Sequence, residues 1–144
     1  MTPADLARLH ARAFAHDRPW SEAEFASLLD APGTEIATDA HAFALGHRVL
    51  DEFEVLTVAV DPAHRNRGLG RATLARLLDK AEAQGAATAF LEVAEDNAPA
   101  LRLYQASNFH EIGRRRGYYA RREGPAVDAL VLSRTLSPSD APNS

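Results

Sequence analysis

Three arginines and two glycines stand together in "TVAVDPAHRNRGLGRATLARLL", residues 57–78. Arg65, Arg67 and Arg71 surround Gly68 and Gly70, where an apolar run ends at Asp61-Pro62 and a helical pattern begins. The first turn of a helix carries free backbone N–H groups and the positive end of the helix dipole, so it favours an anion. Glycines there leave room for an anion to reach the N–H groups, and arginines add charge and forked donors. The chemistry this stretch supports is the binding of a large anion at a strand-to-helix turn. The plainer alternative is a tight turn among solvated arginines. It accounts for the glycines but not for three arginines around them.

Two familiar anion loops do not fit. A nucleoside-triphosphate loop needs Gly-Lys-Ser/Thr, and Gly70 is followed by Arg71-Ala72. A dinucleotide fingerprint needs a third glycine and a later acid, and the pattern is missing here.

Other residues carry chemical potential singly. Glu92 interrupts the apolar run "ATAFLEVA". A carboxylate in such a strand is unfavourable unless it reaches water or a partner. It is either a strand end meeting solvent or a general base. Tyr104 follows Leu101 by three residues in a helical pattern and by itself reads as a core aromatic. Asn97 stands where a helix N-cap belongs. Trp20, Tyr118 and Tyr119 are open to two readings, groove lining or packing. There is no cysteine, hence no disulfide framework and no thiolate nucleophile or metal site. The six histidines show no metal-ligand spacing, so no metal is expected.

The elements that must position these residues follow from periodicity and punctuation. Thr2 caps a helix over 2–14, with Pro3 in its first turn. "AHDRPW" is a loop, and Ser21 with Glu24 forms a capping box for a second helix running to about Leu29. Residues 34–38, 42–49 and 53–60 read as strands, and "EVLTVAV", apolar on both faces, as a central one. A helix over 68–84 buries Leu69, Thr73, Leu77 and Leu78 and ends at Gly85. "ATAFLEVA" is a buried strand, 98–107 a helix with Pro99 in its first turn, and "FHEIGRRRGYY" and "AVDALVLSRTL" a final strand pair. The order is ααβββαβαββ. The strand–helix–strand unit over 53–94 makes its two strands parallel neighbours, with antiparallel strands on either side. The expectation is one mixed α/β domain over 1–136, with helices on both faces of the sheet. Residues 137–144, "SPSDAPNS", have the composition of a disordered tail.

The spacing Arg65-x-x-Gly68-x-Gly70 resembles the pyrophosphate loop of the GNAT acetyltransferases, which bind acetyl-coenzyme A. The resemblance continues through "PWSEAEF" (19–25), "VAVDPAHRNRGLGRATLARLL" (58–78), "FLEVAEDNAPALRLYQASNF" (90–109) and "RRRGYY" (114–119). These look like the bacterial ribosomal-protein-alanine N-acetyltransferases, which modify the N-terminal α-amine of a small-subunit ribosomal protein. The resemblance implies the GNAT fold, a mostly antiparallel sheet with a splayed parallel pair at its centre. It implies that the N–H groups of Val58 and Val60, flanking Ala59, hold the pantetheine and the thioester carbonyl. Arg65, Asn66, Arg67, Gly68, Leu69, Gly70 and Arg71 would hold the pyrophosphate, and Asn97 would add a bond to the pantetheine. Glu92 would be the base, directly or through water, and Tyr104 the acid that protonates the leaving thiolate. Trp20, Tyr118 and Tyr119 would line the peptide groove. Two departures stand out: Ala120 where such proteins often carry Pro, and Ser107-Asn108 where Leu-Gly is common.

Acetyl transfer from acetyl-coenzyme A to a protein N-terminal amine is therefore the leading expectation, by direct attack with no covalent enzyme intermediate. The alternatives are the same chemistry on a small amine or a lysine side chain, and a non-catalytic acyl-coenzyme A-binding module. Net charge is −4 over 144 residues, which gives no general attraction to nucleic acid or anionic membrane. Arg114, Arg115 and Arg116 read as a solvated charge run. No apolar segment reaches membrane-spanning length, and a cytoplasmic location is expected.

Overall fold

The computed structural model describes residues 1–14 and 18–136. Part of the expected "AHDRPW" loop and the whole of the expected tail, 137–144, lie outside the described residues.

Local chemistry sets the first two helices. Helix α1, Pro3–Ala13, starts on a reciprocal box: Thr2 Oγ1 accepts from Asp5 N at 3.1 Å, and Asp5 Oδ2 accepts from Thr2 N at 2.9 Å. Helix α2, Glu22–Asp30, starts on the expected Ser21–Glu24 box, with bonds of 3.1 and 2.8 Å. Each such cap contributes about 1 kcal/mol by satisfying backbone N–H groups that the helix leaves open.

Three strands follow: β1 (Thr34–Asp39), β2 (Ala42–Val49) and β3 (Glu52–Val60). Helix α3 (Leu69–Ala83), strand β4 (Thr88–Ala94) and helix α4 (Ala98–Ala106) come next, then β5 (His110–Tyr119) and β6 (Val127–Thr135). The six strands form one sheet in the order β1-β2-β3-β4-β6-β5. Only β3 and β4 run parallel; every other pair is antiparallel. This is the expected mixed sheet, with the crossover through α3 supplying the parallel pair.

Helices cover both faces. On one, Leu6, Leu9 and Phe25 of α1 and α2 bury Phe43, Leu45 and Ala59. On the other, Leu74, Leu77 and Leu78 of α3 and Tyr104 of α4 pack over Phe53, Val55, Leu91, Val93, Leu130 and Leu132. The inner face of α3 differs from expectation at one end. Thr73, Leu77 and Leu78 are buried with Leu74 and Ala81, but Leu69 is only half-buried. The stripe runs 74, 77, 78, 81, and a residue five places before Leu74 sits about 140° around the helix from it.

The parallel pair does not stay paired. Its ladder holds only Glu52 to Thr88, Phe53 to Ala89 and Glu54 to Phe90. One residue later β3 carries a bulge: Gly46 pairs with Val55 and Leu45 with Thr57, so Leu56 has no opposite number. A bulge bends its strand, and β3 leaves β4 there. Gly46 is required for the bulge. A Cβ at this position would collide with the Glu54 carbonyl oxygen and come within 2.5 Å of the Phe53 ring.

Candidate active site

The turn into α3 has the form an anion needs. Asp61 Oδ1 accepts from Ala63 N at 3.0 Å and from Arg12 at 2.7 Å, fixing a single tight turn over Pro62–His64. Asn66 (φ 65°) and Gly68 (φ 76°) then take left-handed conformations and turn the chain into the helix. Gly68 stands at the N-cap without any side-chain cap, and Ala72 N makes the first intrahelical bond to its carbonyl. The N–H groups of the first turn, Leu69 to Arg71, are left with no intrahelical partner. Arg67 and Arg71 are exposed and have no ion pair or hydrogen bond among the described residues. Arg65 has a structural bond. Its Nη2 donates to the Ala13 carbonyl at 3.1 Å, closing the C-terminal end of α1. Gly70 faces the crevice between β3 and α4, where a Cβ would meet Val60 at 3.4 Å and Leu103 at 3.7 Å.

The splay frees backbone donors beside this turn. Asp61 N donates to His41 O at 2.8 Å, which makes Asp61 and His41 a hydrogen-bonded rung. Antiparallel rungs alternate, so Ala59 with Phe43 is the next such rung, and Val60 and Val58 fall on the rungs between. The N–H groups of Val58 and Val60 therefore point away from β2, into the gap that β4 has left. Ala59 is buried beneath α1 and α2. Asn97 caps α4, its Oδ1 accepting from Ala100 N at 3.2 Å, which leaves the side-chain amide N–H groups for another partner.

The sheet itself divides the other candidates. Along β4, Ala89, Leu91 and Val93 face α3 and α4, so Glu92 faces the α1/α2 side. Tyr104 stands on the α3/α4 side, 8% exposed, with its ring against Phe109 at 5.9 Å. Burial pushes its hydroxyl up to about 12, so it is protonated across the physiological range. Glu92 is not a solvated strand end. Its side chain is 22% exposed, and Oε2 meets Arg115 Nε at 2.6 Å.

Around Glu92 the end of β5 forms a compact polar cluster. The rings of Tyr118 and Tyr119 meet edge to face at 5.1 Å. Arg115 lies over Tyr118 at 5.5 Å, and Arg121 over Tyr119 at 5.7 Å. Arg121 grips Asp96 with two bonds of 2.8 and 2.7 Å, and this holds the Asp96 carboxyl below its usual range. Partial burial, and then the Glu92 charge, raise the Tyr119 hydroxyl above its ordinary value. All three arginines of the expected solvated run are exposed, and each also has a carboxylate nearby: Arg114 binds Asp128 at 2.8 Å, Arg115 pairs with Glu92, and Arg116, 84% exposed, lies 3.8 Å from Asp128. Isolated in sequence, Arg115, Arg121 and Asp96 gave no signal, because their partners lie 23 to 25 positions away.

Trp20 shares the Glu92 face but not the tyrosine cluster. It stacks on His10 at 4.7 Å and tilts against Phe25 at 5.5 Å. It also lines a groove of about 420 Å³ with Arg18, Glu24, Leu28 and the bulge residue Leu56. Among the described residues no ring contact joins Trp20 to Tyr118 or Tyr119. One grouping escaped the spacing argument: His41, Asp61 and His64 bring ligand-type atoms within 4.8 Å of one another. The two imidazoles lie face to face at 3.5 Å and 8°. An ion in the plane of one ring would lie well out of the plane of the other, so the pair as it stands is a stack and not a chelate.

Comparison with known proteins bears on the family and the fold. Residues 6–109 match the acetyltransferase (GNAT) family. The [ribosomal protein bS18]-alanine N-acetyltransferase of Escherichia coli K12 is 40% identical over 136 residues, covering 91% of this chain and 90% of that one. An N-alpha-acetyltransferase of Mycobacterium tuberculosis is 38% identical over 131 residues, covering 83% and 81%. The crystal structure of the Escherichia coli ribosomal-protein-S18-alanine N-acetyltransferase superposes with a TM-score of 0.79 over 93% of this chain and 86% of that one, at 38% identity. Sequence and shape point the same way, and this chain belongs to the acetyltransferase (GNAT) family.

Proposed function

We propose that the protein moves the acetyl group of acetyl-coenzyme A onto the N-terminal α-amine of a protein, of the alanine-starting kind found on ribosomal protein bS18. The observation that carries the reading is the division of the site by the sheet. Anion-binding groups and Tyr104 lie on the α3/α4 side, Glu92 and the tyrosine cluster lie on the α1/α2 side, and the gap between β3 and β4 joins them. Kinship with N-terminal acetyltransferases selects the acceptor class.

Each residue then has a role. The first turn of α3, with Arg67 and Arg71, holds the pyrophosphate, and Arg65 ties that loop to α1. The N–H groups of Val58 and Val60 receive the pantetheine and the thioester oxygen. As the amine nitrogen bonds to the carbonyl carbon, negative charge grows on that oxygen, and a fixed N–H stabilises it most in the transition state. Glu92 takes the proton that the attacking amine must lose, directly or through a water. The carbon–sulfur bond breaks with its electron pair on sulfur, and Tyr104, held protonated by burial, gives the thiolate its proton.

The test is a panel of acceptors at equal amine concentration. It comprises an alanine-starting peptide, the same peptide with a blocked N-terminus and an internal lysine, and spermidine. The expected product carries acetyl on the α-amine of the first peptide. Faster turnover of spermidine or of the lysine peptide overturns the reading in favour of a small-amine or side-chain acetyltransferase. No turnover of any amine, with coenzyme binding intact, would leave an acyl-coenzyme A-binding module.

A further inference from the structure

Arg115 is ion-paired with Glu92, its Nε 2.6 Å from Oε2. A guanidinium has five N–H donors in a rigid fork. The four on its terminal nitrogens have no hydrogen-bond partner among the described residues. The side chain is 60% exposed, yet it is not loose: the Tyr118 ring lies beneath it at 5.5 Å. Strand register explains the meeting. Glu92 on β4 pairs with Val131, Arg115 on β5 pairs with Ala129, and both reach over β6 on the α1/α2 face. Beyond Arg115 the ladder shifts, and Gly117, at φ 60°, hangs its N–H on Asp128 Oδ1 at 2.9 Å. The irregularity anchors the strand just past the arginine.

We propose that Arg115 is a specificity-determining residue that reads the carbonyl oxygen of the acceptor's first residue, beside the amine that Glu92 receives. The proposal rests on the reading of Glu92 as the base. A carboxylate next to a guanidinium offers an acceptor and a donor side by side. Oε1 of Glu92 takes an amine N–H, and a terminal N–H of Arg115 donates to the carbonyl one carbon away from that amine. A peptide N-terminus has both groups on a single α-carbon. A polyamine or a lysine side chain has the amine and no carbonyl, and would leave the Arg115 fork unpaired. Sites built to hydrogen-bond a substrate group discriminate strongly against analogues that lack it.

The experiment compares two acceptors on the full-length protein: an alanine-starting peptide, and the same molecule with its first peptide bond replaced by a methylene-ether link. The isostere keeps the amine and removes the carbonyl. The wild type should prefer the peptide by roughly 10–100-fold in kcat/KM, the scale of a charge-assisted hydrogen bond. Arg115→Met should lower kcat/KM for the peptide far more than for the isostere, bringing the ratio toward one. Arg115→Lys keeps the charge without the fork and should fall between. Melting temperature and acetyl-coenzyme A affinity report folding, and Arg115→Gln serves if the methionine variant does not fold. A ratio in Arg115→Met equal to that of the wild type overturns the proposal, as does a wild type with no preference. Failure of the underlying reading looks different: Glu92→Gln would then turn over both acceptors at the wild-type rate, whatever Arg115 does.

Discussion

Glu92 and Tyr104 lie on opposite sides of one sheet, Glu92 on β4 facing α1 and α2 and Tyr104 on α4 packed over the other face, and the gap beyond the Glu54–Phe90 rung is where the two sides meet. The proposed acid and base are thereby kept apart, which stops them from hydrogen-bonding to each other. Their variants should fail in different ways. Glu92→Gln should lose about 10²–10⁴-fold in kcat, most severely at low pH. A protein α-amine titrates near 7.7–8.0, so raising the pH frees the amine without help and recovers part of the rate. Tyr104→Phe should lose rate without that recovery, since its missing proton goes to the thiolate. Acetyl-coenzyme A affinity should hold in both. Paired pH–rate profiles with calorimetric titrations check this, and wild-type kcat at every pH in Tyr104→Phe would return that residue to packing.

Of Arg65, Arg67 and Arg71 at the turn into α3, only Arg67 and Arg71 have no hydrogen bond or ion pair among the described residues. Arg67→Ala and Arg71→Ala should each weaken acetyl-coenzyme A binding by about tenfold, as loss of a charge-assisted contact does, and the loss should shrink in high salt. Arg65→Ala should weaken it less, because its bond runs to the Ala13 carbonyl. Gly70→Asp should be the most damaging, adding bulk in the Val60–Leu103 crevice and negative charge beside the pyrophosphate. Titration calorimetry at two ionic strengths gives the ranking, and unchanged affinity for Gly70→Asp would remove the phosphate cradle.

Burial of Tyr104 also predicts an alkaline limit to stability. Its hydroxyl ionises near 12 in the folded chain and near 10 in the unfolded one. Below pH 10 both states keep the proton. Between 10 and 12 the unfolded chain releases it first, so stability falls through that window, by about 2–3 kcal/mol in all. Melting curves from pH 8 to 11.5 should show a steeper fall for the wild type than for Tyr104→Phe. Parallel curves would mean that the hydroxyl ionises without unfolding.

The bulge that opens the splay depends on Gly46. Gly46→Ala places a methyl against the Glu54 carbonyl and the Phe53 ring, so the strand must shift. Overpacking of this kind costs about 1–3 kcal/mol, a drop of roughly 2–10 °C in melting temperature. The folded fraction should also lose kcat, because Val58 and Val60 lie just past the bulge on the same strand. A variant with wild-type melting temperature and rate would separate the bulge from the site.

What the chain alone determined was local. Capping residues, the helix start at Gly68, the order of elements along the chain and the parallel pair could be read from spacing, because each depends on neighbours a few positions apart or on the handedness of a crossover; the placing of β6 between β4 and β5 could not. The resemblance carried by "RNRGLG" and its companion motifs supplied the roles proposed for Glu92, Tyr104 and Asn97. Tertiary structure decided where long side chains end. An arginine reaches several ångströms from its backbone, and which carboxylate it meets depends on sheet register and on which face each residue takes. So Arg115 lands on Glu92, Arg121 on Asp96 and Arg65 on a helix carbonyl, while Trp20 packs on His10 instead of beside the tyrosines. The stack of His41 on His64 joins a hairpin turn to the anion loop across 23 positions, and no periodicity in one strand encodes a partner on another element.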